Sequence, residues 1–539
     1  MCKYKKPISL ILTAALLVCV TSCSQSGEGN NGADTSDTGN NSSSAPQSSF
    51  AEPNVADIDE NAETGTITWL VYEDLLSSMS GMVNLFETRY GGSIEQQMTS
   101  SGSAYFDKLG SLIAIGDSPD IVRYEWRAFP HGMSYNMYTP LDSYIDLDSE
   151  LWKGVKPVAE QYVYNGKHYY VPNSLDTNFA LNYNNRVLEE NGMEDPMEML
   201  NNGTWTWSAF EAMLKQWVDM DSDHIGYNGV GGMIFVMTTG TKTIDITDGN
   251  IVNNLKNENV NRCMLWLENM RKQGLLGASA EQQARGMVNG YVDPGAAFVD
   301  GNLLFLGMNP SWAYGAAKES LDKAGLENEM KFVPFPRDEL ADTYYQGGNT
   351  IGFMIPAGAH NVKGALDWIT LNRIEETDED NIAGAKALAI SDAKGYYPKC
   401  ANADCNDTSD SRDDKNRHIF TDEENAEGMS TCPSCGEARR EKYKVVWSEE
   451  QYDLFMEMKS TDGRFTLLFD NVYGFNDDVS NLLIGTGSLL DAPVFEDESY
   501  TNLVDTLYNS VESYIDFYRN LMKSGGGAVT ALPDDNPAG

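Results

Sequence analysis

From Thr66 onward, short apolar runs alternate with helical stripes, and this alternation restricts the chain to one class of architecture. Thr66-Ile67-Thr68-Trp69-Leu70-Val71-Tyr72 reads as a buried strand. Met79, Met82, Val83, Phe86 and Tyr90 then recur at helical spacing, and Ile94, Gln96 and Met98 suggest a second strand. Tyr105, Phe106, Leu109, Leu112 and Ile113 form another helical stripe, and Pro119-Asp120-Ile121-Val122 a third strand. The order β-α-β-α-β requires parallel strands with helical crossovers, so the fold class is α/β. In such sheets a ligand sits beyond the carboxyl ends of the strands. Those ends are Tyr72-Glu73-Asp74 and Arg123-Tyr124-Glu125-Trp126.

The pattern resumes downstream. Ser208 with Glu211 forms a capping box ahead of Phe210, Met213, Leu214 and Trp217. Val260, Cys263, Met264, Leu267 and Met270 share one helix face, which makes Cys263 a core thiol. Val504, Leu507, Tyr508, Val511, Ile515 and Tyr518 mark a long C-terminal helix, ended by Gly525-Gly526-Gly527. At 539 residues the chain holds about three or four structural units.

The N-terminus carries an address. Lys3, Lys5 and Lys6 precede an apolar run, Pro7 to Val20, too short for a membrane span but suited to a signal-peptide core. Val20-Thr21-Ser22-Cys23 follows and resembles a bacterial lipobox, which implies that Cys23 is lipidated and becomes the first mature residue. Ser24 to Ser49 contains no Val, Ile, Leu, Met, Phe, Tyr or Trp. Such a segment cannot bury enough apolar area to offset its ordering entropy. Residues 24–63 are therefore expected to be a flexible tether with a reach of about 35 Å.

Composition removes several functions. The formal charge of −42 argues against nucleic-acid binding, which needs clustered Lys and Arg, and against adsorption to anionic lipid. The chain contains no G-x-S-x-G, H-E-x-x-H, Walker A or G-x-G-x-x-G pattern, and its five histidines share no helix-face spacing. A non-enzyme is expected, although Glu73 and Glu125 have the residue type of a glycosidase pair.

Five landmarks in order resemble the extracellular solute-binding proteins of ABC sugar importers, the group that includes maltose-binding protein. They are Gly116-Asp117-Ser118-Pro119-Asp120-Ile121, Gly166-Lys167-His168-Tyr169-Tyr170-Val171-Pro172, and Leu181-Asn182-Tyr183-Asn184-Asn185. Phe298-Val299-Asp300-Gly301 with Met308 to Trp312 is the fourth, and Gly347-Gly348-Asn349 the fifth. The resemblance implies a two-lobed, type II periplasmic-binding-protein clamshell. The expected divisions are signal peptide 1–22, lipidated Cys and tether 23–63, lobe one 64–177 and 347–397, and lobe two 178–346 and 442–524. An insertion occupies 398–441 and a flexible tail 525–539, with chain crossings near 176–180 and 347–349. The implied protein is a monomeric, lipid-anchored, extracytoplasmic subunit. It is expected to capture a carbohydrate, an oligosaccharide in the first instance, and to deliver it to an ABC permease. The same fold also serves peptide or polyol ligands, or a surface adhesin or sensor.

A sugar presents C–H faces and a ring of hydroxyls, so its site needs aromatics beside short polar side chains. Tyr72, Glu73, Tyr124, Glu125, Trp126 and Arg127 supply that combination in lobe one. By position in the family pattern, Trp312, Tyr473 and Phe475 are candidate stacking aromatics, and Asp176, Asn178 and Asn349 are candidate polar contacts at the crossings. Each also has an ordinary packing or backbone-capping reading.

One segment departs from the pattern. Cys400, Cys405, Cys432 and Cys435 cluster within 36 residues. Cys432-Pro433-Ser434-Cys435-Gly436 resembles a zinc knuckle, with two thiolates three residues apart on a tight turn. Cys400-x4-Cys405 is a looser first half. A structural zinc ion held by all four is expected. Two disulfides, which export favours, or free thiols are the alternatives, and His418 is a substitute ligand.

Overall fold

The computed structural model describes residues 64–524 except 77–78, 285–297, 300, 325–328, 391–394, 397–399, 401, 403–404, 406–417, 419, 421–423, 425–428, 440 and 443–446. The signal peptide, Cys23, the tether and the tail lie outside the described residues.

The first half of the chain runs β1 (Thr66–Val71), α1 (Ser80–Tyr90), β2 (Ser93–Met98), α2 (Ser103–Ile115) and β3 (Ile121–Arg123). Then β4 (Val171–Thr177) and β5 (Ala180–Asn184) lead to α3 (Trp207–Met220), β6 (Ile225–Gly229) and α4 (Glu258–Lys272). Next come β7 (Leu303–Met308), α5 (Pro310–Ala324), β8 (Met330–Val333) and β9 (Tyr344–Met354). The chain finishes with α6 (Val362–Thr377), α7 (Glu379–Ala389), β10 (Gly395–Tyr396), β11 (Glu441–Lys442), α8 (Glu449–Met458), β12 (Phe465–Leu468) and α9 (Tyr500–Lys523).

Two sheets organise these elements. In the first, β2, β1, β3, β9 and β12 lie in that lateral order, and β4 also pairs with β9. β1 is parallel to both β2 and β3, with Thr66 opposite Ser93 and Trp69 opposite Ile121. The second sheet has the order β8-β5-β7-β6. The helical stripes become buried faces: α2 buries Tyr105, Phe106, Leu109, Leu112 and Ile113 against the first sheet's core. Trp69, Phe86 and Trp368 interlock there, with ring centroids 5.4 to 6.0 Å apart. A fully buried side chain of this size contributes roughly 2–3 kcal/mol. Cys263 is completely buried in α4, a core thiol.

The α3 start differs from the sequence expectation. Its N-cap is Thr206, whose hydroxyl accepts from Ala209 N, so Ser208 is not the cap. Ser208 N instead donates to Glu339 Oε1 at 2.8 Å, and Glu211 accepts from the Trp266 indole at 2.9 Å. A carboxylate distant in sequence took the role that the capping-box pattern assigned locally.

The chain passes between sheets at Asn178–Phe179, directly after β4 and before β5. Asn178 N donates to Gly347 O at 3.1 Å, tying this passage to β9. β9 runs back across: Tyr344–Gly347 pair with β12, Gly348–Phe353 with β4, and Phe353–Met354 with β3. Close packing explains the glycine at 348, where a Cβ would lie 2.6 Å from the Phe469 ring. A third passage leaves α7 at Ala389 and returns at Trp447, whose N donates to Ala389 O at 3.2 Å. Trp447 then packs on Phe332 of β8, at 5.4 Å between centroids.

Asp470, just after β12, accepts from the backbone amides of Thr243 and Ile244. Burial pushes its carboxyl up to about 6. A carboxyl raised in the folded state contributes stability that is complete below its unfolded value and lost as pH rises through its folded value. A rise of about two units corresponds to on the order of 3 kcal/mol. Asp176 and Asp491 are raised to about 6 for the same reason. The melting temperature should therefore fall between pH 4 and pH 7, and Asp470→Asn should flatten that slope. A midpoint that climbs across this window would contradict the assignment.

Candidate functional site

The carboxyl ends of β1 and β3 place Tyr72, Glu73, Arg123 and Glu125 together. Arg123 is the last residue of β3, held in register opposite Phe353 of β9. Its Nη2 donates to the Tyr72 hydroxyl at 2.7 Å, and that hydroxyl donates on to Glu125 Oε1 at 3.0 Å. Its Nε donates to the same Glu125 oxygen at 3.2 Å, and its Nη1 to Glu73 Oε1 at 3.4 Å. Burial raises the Glu125 carboxyl, and the Arg123 and Tyr72 contacts oppose that rise. Tyr72, Glu73, Leu75, Tyr105, Arg123 and Glu125 line a hollow of about 10 Å3, room for about one water.

The next residues turn toward the C-terminal segment. Tyr124 stacks on Tyr170 at 4.2 Å and meets Tyr162 edge-on at 5.4 Å, so its ring belongs to a packed aromatic cluster. Trp126, half-buried, meets the exposed Tyr473 edge-on at 5.3 Å. Arg127 Nε donates to Phe475 O at 3.0 Å, and its Nη2 pairs with Asp477. Phe475 itself is fully buried, 5.2 Å from the Tyr518 ring of α9.

At the crossings, Asp176 and Asn349 face each other in register. Asp176 accepts from Thr177 N at 2.8 Å, and Asn349 from Thr350 N at 2.9 Å. Asn178 uses its backbone amide, as above. Trp312 stands in the first turn of α5, half-buried, with its N donating to Asn309 Oδ1 at 3.2 Å. Asn309 Nδ2 in turn donates to Thr177 O at 3.1 Å, which links this helix start to the first crossing.

The structure thus makes three groupings: Tyr72, Glu73 and Glu125 around Arg123; Trp126 and Arg127 with Tyr473 and Phe475; and Asp176, Asn178 and Asn349 at the crossings, joined to Trp312 through Asn309. Arg123 and Asn309 were not among the candidates from sequence. Arg123 ends a strand rather than lying in the loop after it, and Asn309 falls inside the Met308 to Trp312 landmark, where the pattern gives it no role of its own.

The four cysteines converge. Cys400 Sγ lies 3.6 Å from Cys435 Sγ, and Cys405 Sγ 3.8 Å from Cys432 Sγ. All four sulfurs lie within 4.8 Å of one another. A disulfide requires about 2.05 Å. A tetrahedron with sulfurs about 2.3 Å from its centre has edges of about 3.8 Å, close to these spacings. The amides of Asn402, His418 and Glu437 are directed at the sulfurs of Cys400, Cys405 and Cys435. Gly436, at φ 73°, closes the knuckle turn, and its N donates to Cys432 O at 2.8 Å. His418 bonds Glu424 at 3.0 Å and is not one of the converging ligands. Phe420 packs beneath the cysteines, capped by the Arg439 guanidinium 3.8 Å above its ring.

Two α/β sheets joined by repeated chain passages are the architecture of the type II periplasmic-binding-protein fold. Residues 81–398 match the bacterial extracellular solute-binding protein family, and the chain belongs to that family. The match ends where the cysteine-bearing segment begins. No curated protein is significantly similar in sequence.

Among solved structures, an ABC substrate-binding protein of Listeria monocytogenes in complex with cycloalternan is similar at 15% identity with a TM-score of 0.50, covering 84% of this chain and 99% of that one. The sugar-binding protein MalE of Xanthomonas citri is similar at 16% identity and TM-score 0.46, covering 58% and 75%. An extracellular solute-binding protein of Staphylococcus aureus in complex with maltose is similar at 14% identity and TM-score 0.45, covering 59% and 78%. Among the described residues no helix is long and apolar enough to cross a membrane.

Proposed function

We propose that the protein is the surface-anchored binding subunit of an ABC importer, taking a carbohydrate between lobes 64–177 with 347–397 and 178–346 with 442–524. It performs no chemistry on its ligand and passes it to a permease. The observation that carries this reading is the set of groups at the ends of β1 and β3. Carboxylates held by Arg123 supply hydroxyl acceptors, and Trp126, next to Glu125 in the chain and edge-on to Tyr473, supplies an apolar face. That is the combination a sugar ring requires. Trp312 is the stacking aromatic that lobe two contributes. Lipidation at Cys23 would hold the protein to the cell membrane through the 24–63 tether. Calorimetric titration with soluble oligosaccharides tests the reading, and a binder among them is the expected outcome.

The same proposal includes a structural zinc ion on Cys400, Cys405, Cys432 and Cys435. Soft thiolates at these spacings suit zinc, and four of them fill its coordination sphere. Bound there, the ion would cross-link residues 398–441 and leave no position for a reacting water.

A further inference from the structure

The carboxylates at the strand ends are held in a particular state, and this bears on which ligands the cleft takes. We propose that Arg123 is a positioning residue that sets the charge preference of the cleft: it keeps Glu73 and Glu125 as oriented acceptors, so that this end takes polyhydroxylated ligands that are neutral or carry an amine and rejects those bearing carboxylate, sulfate or phosphate. This rests on the carbohydrate reading above.

Arg123 sits on a strand paired on both sides, with Val122 opposite Leu70 on β1 and Arg123 opposite Phe353 on β9, so its backbone is fixed. All three guanidinium nitrogens are engaged, by Glu125, Glu73 and the Tyr72 hydroxyl. A planar donor fork committed in this way is not available to pair with a ligand anion. Both glutamates contact it through Oε1. Their Oε2 atoms have no protein donor among the described residues, and the side chains remain 35% and 21% exposed for Glu73 and Glu125. Those oxygens accept from a hydroxyl or an ammonium group.

The local formal charge is two carboxylates against one guanidinium, so an incoming anion meets a net negative site, whereas a hydroxyl or an amine meets acceptors. The Arg123 guanidinium also lies 5.7 Å from the centre of the Tyr72 ring, which fixes that ring beside the carboxylates. The hollow beneath has room for only about one water, so the carboxylates have little space to swing away from a mismatched ligand.

The experiment uses maltotriose, cellotriose and mannotriose, each with its terminal uronate and its 6-amino-6-deoxy analogue, titrated calorimetrically at low ionic strength. In the series that binds, the amine member should bind at least as tightly as the neutral one, and the uronate should bind at least about tenfold more weakly than the neutral one. In Glu73→Gln/Glu125→Gln the order should invert, with the uronate bound more tightly than the neutral member, because the guanidinium charge is then no longer offset by Glu73 and Glu125. Arg123→Lys keeps the charge but loses the fork, so it should weaken all three members alike and leave their order intact. The ratio within one variant is its own control for folding. A wild-type protein that binds uronate as well as the neutral sugar overturns the proposal, as does an unchanged ratio in the double variant. Failure of every neutral, amine and uronate member to bind overturns the carbohydrate reading itself.

Discussion

Replacing Cys432 with serine is expected to unfold residues 398–441 and to leave the two lobes and their ligand affinity intact. The insertion has a separate small core made of Cys400, Cys405, Phe420 and Cys432. One aromatic ring cannot offset the ordering entropy of a polar segment of roughly 40 residues, so a cross-link has to supply the difference. Zinc binding contributes about 10 kcal/mol or more in isolated finger peptides, ample for a unit of this size.

The lobes are insulated from this loss by contacts at the base of the insertion. Trp447 N remains bonded to Ala389 O, and Lys386 of α7 pairs with Glu449 at 2.9 Å and Asp453 at 2.7 Å on α8. Those exposed ion pairs are worth about 1 kcal/mol or less each, so the Trp447 indole, packed 4.7 Å from Phe455, carries most of the clasp. Elemental analysis should find one zinc per chain in protein purified without chelator. Hydrogen exchange should accelerate within 398–441 alone in Cys432→Ser. Zinc-free protein without free thiols, or unchanged protection in the variant, would contradict the assignment.

Trp126→Ala and Trp312→Ala should each weaken ligand binding by about 2 kcal/mol or more, roughly thirtyfold. Both side chains are half-buried, so neither truncation empties the core. Trp126 begins the short 3-10 turn after β3, where its ring meets Tyr473 edge-on. Trp312 starts α5, where the Asn309 side chain still accepts from the helix backbone. Phe475→Ala should act differently. That ring is fully buried against Tyr518, so its removal should cost about 3–5 kcal/mol of stability, with affinity per folded molecule less affected. Calorimetric affinity and chemical denaturation together separate the two classes. Undiminished affinity in both tryptophan variants would remove the cleft assignment.

The hydrophobic periods carried the α/β reading because core burial enforces them: the Tyr105 to Ile113 stripe and the Val504 to Tyr518 stripe both became faces packed on the core. What sequence could not carry were contacts between residues far apart in the chain. Thr206 caps α3 with help from Glu339, more than a hundred residues away, so a local capping box at Ser208 read the right helix with the wrong cap. Arg123 escaped for a related reason, since its role depends on Tyr72 and Glu73 arriving from β1. Phe475 shows the converse. A late aromatic in sequence carries no mark that distinguishes a ring facing ligand from one buried under α9.

The measurement that bears most directly on the account is a thermal-shift panel of soluble oligosaccharides, with peptides and polyols in parallel. A ligand present at 100 times its dissociation constant stabilises the folded state by about 2.7 kcal/mol, a shift of a few degrees for a protein of this size. At least one oligosaccharide should raise the melting temperature, and at the same ligand concentration the shift should shrink to about a third in Trp126→Ala. A panel in which no oligosaccharide moves the midpoint while a peptide or polyol does would contradict the account.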